Sequence, residues 1–154
     1  MRRERGFTLI ELLVVFAIMA LIMGLAPVAF DRLRDSAEYR NTVRAMLSQM
    51  RSARYRAVEE GHETRFFVDL NQRMYGTDSV PARALPKSLQ LKATVAGIEM
   101  TDQGEAAIRF LPSGGATGGS VEVLRASGAG TRLRVDWLSG RVTQEALTPS
   151  TTPP

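Results

Sequence analysis

A long apolar segment near the start of the chain constrains the fold more than any other feature of the sequence. From Leu12 to Phe30, nineteen consecutive residues carry no charged side chain. As a helix rising about 1.5 Å per residue, they nearly cross a hydrocarbon core of about 30 Å. Adding Phe7–Ile10 lengthens the helix enough to span it. Residues 7–30 are therefore predicted to form a membrane-spanning helix.

Glu11 is the one acidic residue within this apolar stretch. A carboxylate placed in lipid costs on the order of 2.5–3.5 kcal/mol at the bilayer centre and less near its edge. Such a residue is retained when it has a partner or a function. Glu11 is therefore the first candidate functional residue of the chain.

The residues before the apolar segment are strongly basic. Arg2, Arg3 and Arg5, set against Glu4, supply half of the net charge of +4. Because basic flanks stay on the cytoplasmic side of a membrane, the N-terminus is predicted to be cytoplasmic and the following domain to lie across the membrane. The remaining charge is small, so the basicity of the chain does not by itself indicate a nucleic-acid partner.

An ordinary secretory signal peptide is the alternative explanation for a basic leader followed by apolar residues. The apolar segment is long for a signal peptide, and it contains Glu11. The small residues at Gly24 and Ala26 could form a cleavage site, but Pro27 follows at once and makes a poor context. Cleavage after the apolar segment is therefore not expected.

The sequence Gly-Phe-Thr-Leu-Ile-Glu, from Gly6 to Glu11, directly follows the charged leader. It resembles the processing and assembly motif of type IV pilins and type II secretion pseudopilins. The resemblance implies that a prepilin peptidase of the inner membrane cleaves after Gly6 and removes residues 1–6 as a leader peptide. It also implies that the same peptidase methylates the new N-terminal residue, Phe7.

Cleavage at this point would place an ammonium group on Phe7, four residues before Glu11. The two charges would lie on one helical face about one turn apart. When paired, opposite charges offset much of each other's desolvation cost. The resemblance implies that the pairing joins neighbouring subunits, so Glu11 is predicted to determine assembly.

Beyond Phe30 the apolar residues follow one side of a helix, which predicts an amphipathic periplasmic half over residues 31–61. Gly61 is expected to end the helix, because glycine tolerates the left-handed conformation. Gly24 and Pro27 are expected to kink or locally melt the apolar half. The predicted apolar side, which should cover the globular domain, consists of Leu33, Ala37, Val43, Met46, Leu47, Met50, Ala53, Ala57 and Val58.

After Gly61 the pattern changes to short alternating runs separated by turn residues, which predicts antiparallel strands in a β domain over residues 62–146. The predicted strands are Thr64–Leu70, Leu89–Val95, Ala106–Leu111, Ser120–Ala126, Thr131–Trp137 and Arg141–Ala146. Gly76–Pro86 is predicted to be a loop, and residues 147–154 a disordered tail. The expected fold class is α+β and pilin-like, with a long N-terminal helix packed on an antiparallel sheet.

Three segments of the C-terminal half, Phe110–Gly115, Ser120–Leu124 and Arg134–Val142, narrow the resemblance. They resemble the H-type minor pseudopilins of type II secretion systems, a family that shares its domain with the minor pilins FimT and FimU. The resemblance implies a structural subunit, with no enzymatic activity, of the periplasmic pseudopilus that drives folded proteins across the outer membrane. A place in the tip or initiation complex is expected.

The resemblance also implies the partners and the location of the chain. The expected partners are other minor pseudopilins, the major pseudopilin, the prepilin peptidase and the inner-membrane assembly platform. The chain is expected to cross the bacterial inner membrane once, with its globular domain in the periplasm and incorporated into the pseudopilus. The missing cysteines exclude the C-terminal disulfide of many type IV pilins and favour the secretion branch.

A minor type IV pilin like FimT or FimU, involved in pilus assembly or DNA uptake, is the alternative function. DNA binding requires clustered basic side chains on one face. Arg125, Arg132, Arg134 and Arg141 are the candidates, but no basic residue follows Arg141. Nucleic acid is therefore not the expected partner.

The sequence offers little for catalysis, cofactors or metals. There is no cysteine and one histidine, His62, which excludes thiolate chemistry and multi-histidine sites. Gly114–Gly119 lacks the following Lys-Ser or Lys-Thr of a phosphate-binding loop. Asp69 and Asp78 lack the spaced oxygen ligands of a calcium loop. No catalytic, cofactor or metal residue is predicted, and Trp137 is expected in the core or at a sheet edge.

Overall fold

The computed structural model of the chain describes residues 8–95 and 104–148, and over residues 24–32 it describes the backbone alone. One long helix is followed by eight strands in these residues. The elements are α1 (Leu9–Glu60), β1 (Thr64–Asp69), β2 (Met74–Thr77), β3 (Val80–Ala84), β4 (Leu89–Val95), β5 (Glu105–Phe110), β6 (Gly119–Arg125), β7 (Gly130–Val135) and β8 (Val142–Leu147).

Helix α1 contains 52 residues and ends where the sequence predicts. Gly61 has a φ of 70°, the left-handed conformation that terminates a helix. The helix continues through Gly24 and Pro27, so no melted stretch is found there, and a kink at these positions stays a prediction. The chain divides into two compact units within α1, Met1–Ala37 and Glu38–Pro154.

The described strands form two antiparallel sheets of four strands each. The first sheet has the order β3-β2-β1-β5, and the second has the order β4-β6-β7-β8. The predicted α+β class, a long N-terminal helix with antiparallel strands, is confirmed. The expectation of a single sheet is wrong. Strand β4 belongs to the second sheet, where it pairs with β6 along its whole length.

One side of α1 forms the centre of the core. Val43, Met46, Met50, Ala53 and Ala57 are all at most 4% exposed and join the same buried cluster as side chains from both sheets. The strand residues of that cluster include Phe66, Val68, Ile108, Phe110, Val121, Val123, Leu133 and Val135. The predicted apolar side of the helix is therefore confirmed at its centre.

Two members of the predicted apolar side do not belong to it. Leu33 is 67% exposed and Val58 is 50% exposed. With 100° between successive residues, both lie more than about 100° around the helix from the centre of the buried stripe. The spacing of each residue fits an apolar pattern when only nearby residues are considered, but over the length of the helix neither residue stays on the buried side.

Strand β3 and the second half of β2 lie inside the segment Gly76–Pro86 that was predicted to be a loop, and that prediction is wrong. Pro81 suggested a loop because it cannot donate a backbone hydrogen bond, but β3 is an edge strand, where proline is tolerated. At Gly76, β2 approaches β3 so closely that a Cβ would lie 3.0 Å from the Ala82 Cα. A glycine on β2 avoids this crowding. The β2–β3 register shifts between Tyr75 and Thr77.

The last strands also differ slightly from their predicted limits. Strand β7 ends at Val135 rather than Trp137, and β8 continues to Leu147, which pairs with Gly130. Leu147, predicted to be the first residue of the tail, is therefore part of the sheet. Residues 149–154 lie outside the described residues, so their predicted disorder is untested.

Arg54 ties the C-terminal part of α1 to two loops of the sheet domain. Its Nε donates to the Gly114 carbonyl at 3.2 Å and to the Ser139 carbonyl at 3.0 Å. Gly140 has a φ of 60°, and a Cβ at this position would collide with the Gly114 carbonyl oxygen and crowd Arg54. Only glycine fits at this junction.

We expect Gly140→Ala to destabilise the protein more than Gly61→Ala. Both glycines have positive φ, so each substitution carries a backbone cost of about 1–2 kcal/mol, but a Cβ on Gly61 meets nothing within 4 Å. The collision at Gly140 should raise the cost to about 2–4 kcal/mol. Thermal unfolding of the full chain in detergent, followed by circular dichroism, measures both. Equal losses would contradict the role of this contact.

Candidate functional site

Thr8 caps the start of α1. Its Oγ1 accepts a hydrogen bond from the Glu11 backbone N–H at 3.3 Å, and its carbonyl accepts one from the Leu12 N–H at 3.2 Å. A threonine followed three residues later by glutamate is the capping-box spacing. Sequence reasoning treated Thr8 only as part of a processing motif, although the Thr-x-x-Glu spacing was available to show its structural role.

Glu11 occupies the first turn of α1 and is exposed. The partial positive charge at a helix N-terminus favours a carboxylate at this position. In the described part of the chain, no basic group pairs with Glu11. The carboxylate is therefore held at a defined place at the helix start and is accessible to a group from outside.

The predicted processing residues Gly6 and Phe7 lie outside the described residues, so their roles stay predictions. The same holds for the side chain of Pro27, since residues 24–32 are described by their backbone alone. Of the predicted site residues, only Glu11 therefore has a described side chain.

The large apolar side chains of the first half of α1 are open to solvent all around the helix. Twelve of them are between 45% and 85% exposed, namely Leu9, Ile10, Leu12, Leu13, Val14, Val15, Phe16, Ile18, Met19, Leu21, Ile22 and Met23. Within residues 8–95 and 104–148, no helix carries an apolar stretch that is long enough to cross a membrane.

The four arginines considered for DNA binding do not form one cluster. Arg132 is paired with Glu122 at 2.7 Å and lies 3.8 Å from Glu145. Arg125 lies on the opposite face of the second sheet, where its guanidinium stacks 4.0 Å from the centre of the Tyr39 ring. The Tyr39 hydroxyl is itself hydrogen-bonded to the Thr131 hydroxyl at 2.6 Å. Two of the four arginines therefore have structural partners.

The turn after β7, which we call the Trp137 turn and define as residues 136–141, is closed by several hydrogen bonds. Asp136 Oδ1 accepts from the Ser139 N–H at 2.8 Å and from the Ser139 hydroxyl at 2.7 Å. The Asp136 N–H donates to the Arg141 carbonyl, and the Gly140 N–H donates to the Asp136 carbonyl. The turn is therefore fixed by its own backbone and by one carboxylate.

Trp137 was expected in the core or at a sheet edge, and this prediction is wrong. It lies in the turn and is 67% exposed, and the neighbouring Leu138 is 71% exposed. The Trp137 carbonyl accepts a hydrogen bond from the Ala116 N–H at 2.9 Å, which anchors the turn to the preceding glycine-rich loop. The Asp-x-x-Ser-Gly spacing is a turn signal that could have placed Trp137 outside the strand.

The acidic residues considered for metal binding have other partners. Asp69 Oδ1 accepts from the Gln72 N–H at 2.7 Å, and Asp78 pairs with Arg65 at 3.3 Å. His62 lies 3.3 Å from Glu60 in an exposed position. Among the described residues, no three acidic or histidine side chains converge in a way that could hold a metal ion.

The hydrogen bonds in the Trp137 turn predict a measurable change in the pKa of Asp136. The Ser139 hydroxyl, followed by the Ser139 N–H, lowers this pKa below its ordinary value. Because the folded pKa is lower than the unfolded one of about 3.9, the bonds stabilise the fold above that pH and cease to do so as the pH falls through the folded value.

We therefore expect Ser139→Ala to raise the pKa of Asp136 toward its ordinary value in an NMR titration of its side chain. The stability difference between this variant and the original chain should be present at neutral pH and vanish in acid. Ser127→Ala, in the exposed turn before β7, is the matched control and should leave the Asp136 pKa unchanged. An unchanged pKa in Ser139→Ala would contradict the assignment.

The start of the chain and its fold together define the class of protein. A family model described as "Prokaryotic N-terminal methylation motif" matches residues 1–27. Two solved structures of the minor pseudopilin EpsH from the type 2 secretion system of Vibrio cholerae share the fold, each with a TM-score of 0.55. They cover 73% and 76% of this chain and 98% of their own chains, at 14% and 16% identity. The chain is a pilin-like protein.

A second family model, "Type II transport protein GspH", matches residues 42–140. A protein of Xanthomonas campestris pv. campestris named "Type II secretion system protein H" is 33% identical over 141 residues, which cover 92% of this chain and 83% of that protein. The chain belongs to the GspH family.

Proposed function

We propose that the chain is a minor pseudopilin, a structural subunit of the type II secretion pseudopilus that serves in its tip or initiation complex. The observation that carries the proposal is the capped, carboxylate-bearing start of an apolar helix that continues into a GspH-type β domain. The relative from Xanthomonas and the EpsH structures carry names of the same system. In this role the chain acts by assembling with other subunits to export folded proteins.

The exposed apolar half of α1 supports insertion into a membrane and burial among the helices of other subunits. Side chains such as Leu13, Phe16 and Leu21 are open to solvent around the helix, and exposing so much apolar surface to water is unfavourable. We infer a single pass through the inner membrane, formed by residues 7–30, with residues 31–61 and the β domain in the periplasm. The arginines of the leader support a cytoplasmic N-terminus.

Processing by the prepilin peptidase is the second part of the proposal. Cleavage after Gly6 would make Phe7 the methylated first residue, immediately before the helix cap Thr8. The match of a methylation-motif family over residues 1–27 supports this assignment. Mass spectrometry of the mature chain tests it directly, and Gly6→Val should leave the leader attached.

The Glu11 carboxylate is proposed to pair with the N-terminal ammonium of a neighbouring subunit. Its position in the first turn and its exposure support this role. In lipid, an unpaired carboxylate is costly, so a cation supplied by another subunit stabilises the assembled state over the isolated subunit. The neighbours are other minor pseudopilins and the major pseudopilin, assembled at the inner-membrane platform.

We expect Glu11→Leu to leave the chain cleaved and inserted in the membrane but to reduce its co-purification with other pseudopilins by at least about tenfold, since a lost pair of about 1.4 kcal/mol already changes an equilibrium by that factor. Glu59→Leu, an exposed acid of the same helix, is the matched control. Export of type II substrates from cells that carry each variant in place of the original chain gives the functional measurement.

Two outcomes would count against the proposal in different ways. If Glu11→Leu co-purified normally, the carboxylate would have no role in assembly. If cells lacking the chain exported type II substrates at the normal rate, the proposed function itself would be wrong.

A further inference from the structure

The Trp137 turn presents two large apolar side chains to solvent. Trp137 is 67% exposed and Leu138 is 71% exposed, while neighbouring Val135 and Val142 are buried. Tryptophan carries a large apolar area and is enriched among the residues that dominate binding energy in protein interfaces. Trp137, with the exposed apolar side chain of Leu138 next to it, is therefore suited to contact a partner.

The turn is held rigid before any partner arrives. Besides the bonds within it, Arg54 of α1 donates to the Ser139 carbonyl, and the glycine-rich loop donates to the Trp137 carbonyl through Ala116. Gly118 allows the glycine-rich loop to approach Trp137 closely, because a Cβ on Gly118 would lie 3.0 Å from the Trp137 Cβ. A surface that is already ordered loses little conformational freedom on binding.

Arginine-lined cavities lie on both sides of the Trp137 turn. The first, of about 450 Å³, is lined by Trp137, Arg134 and the strand start at Gly119, among others. The second, of about 360 Å³, is lined by Arg51, Arg54, Gly140, Arg141 and Val142. In the described part of the chain, Arg51, Arg134 and Arg141 form no ion pair. Asp136, which also lines the first cavity, interacts electrostatically with Arg134, whereas Arg51 and Arg141 of the second cavity have no such acidic neighbour among the ion pairs of the described residues. The apolar side chains are thus flanked by arginines whose positive charge the fold offsets only in part.

We propose that the Trp137 turn is a docking surface for another pseudopilus subunit, one that supplies an apolar contact for Trp137 and Leu138 bordered by carboxylates for Arg134 and Arg141. This inference rests on the proposed function. It adds which surface of the chain contacts a neighbouring subunit and which kinds of side chain that subunit supplies. A protein partner fits better than nucleic acid, because bases gain by stacking on an aromatic ring but not on the exposed Leu138.

Site-specific crosslinking in cells tests which molecule occupies the surface. A benzophenone amino acid in place of Leu138, in the full chain, should crosslink to another pseudopilin, and mass spectrometry should find Asp or Glu in the crosslinked peptide. The same amino acid in place of Leu70 is the control. Leu70 is also exposed, but it follows the end of β1 opposite to the end that pairs with Phe110.

Substitutions measure the contribution of each part of the surface. Trp137→Ser combined with Leu138→Ser should reduce co-purification with the crosslinked subunit by at least about tenfold, while Leu70→Ser should not. Arg141→Glu should reduce it as well, whereas Lys87→Glu, an equal charge change at an exposed residue away from the turn, should not. Replacing the acid of the crosslinked peptide by arginine should restore binding to Arg141→Glu.

Three results would overturn the inference. The first is normal co-purification of the Trp137→Ser and Leu138→Ser double variant with unchanged thermal unfolding. The second is a crosslinked peptide without acidic residues and no rescue by the charge exchange. The third is a mobility shift of duplex DNA that is weakened by Arg134→Glu and Arg141→Glu while subunit binding is unaffected. Failure of the original chain to co-purify with any pseudopilin would instead refute the proposed function.

Discussion

The buried stripe of α1 is the contact on which the rest of the sheet domain depends. Met46, Met50 and Ala57 are completely buried, and Ala53 is 1% exposed. Fully burying a methionine side chain stabilises the fold by about 1.5–3 kcal/mol, and its flexible thioether fills irregular gaps. The small alanines allow the sheets to approach the helix closely. Because residues of both sheets belong to the same buried cluster, the stripe joins them into one core.

Several arginines of the domain position loops and strands. Arg73 donates to the Pro86 and Leu89 carbonyls, Arg65 contacts the Glu105 carboxylate, and Arg132 bridges β6 to β8. Exposed ion pairs stabilise a fold by only about 0–1 kcal/mol each, so their effect lies mainly in fixing geometry. The net positive charge of the chain therefore says little about nucleic-acid binding, and the arginines without such partners are the informative ones.

Much of the fold could be predicted from the sequence, because periodicity and turn residues report burial directly. The end of α1 at Gly61, the limits of β4 and the buried methionines agree with the pattern. The β2–β3 hairpin was missed because Pro81 and Gly76 usually interrupt a strand, and only tertiary structure shows that one lies at a sheet edge and the other at a close contact.

The candidate site could be predicted less completely than the fold. Glu11 could be singled out as a candidate because an acid in an apolar segment is costly, and one residue and its neighbours are enough to reveal that cost; its role in assembly stays a prediction. The turn between the last two strands was predicted, but Trp137 was placed in the strand before it, because an alternating pattern continues through Val135 into Trp137. The hydrogen bonds that end the strand involve Asp136 and Ser139. Exposure of an apolar residue depends on packing from distant elements, which local sequence does not specify.

The cap at Thr8 changes how the energy of the Glu11 carboxylate should be understood. The Glu11 N–H already has an acceptor in Thr8 Oγ1, so the backbone of the first turn does not need the carboxylate of Glu11 to satisfy this donor. In a capping box, that carboxylate reaches back to the N–H of the capping residue. An ammonium from another subunit would therefore replace an available contact within the same chain. The free energy that this pairing would add to assembly is the difference between the carboxylate–ammonium contact and the carboxylate–N–H contact. A hydrogen bond to a cation is stronger than one to a neutral N–H, and this difference would grow where water is excluded. The proposed pairing of Glu11 would thus favour the assembled state more in lipid than in water.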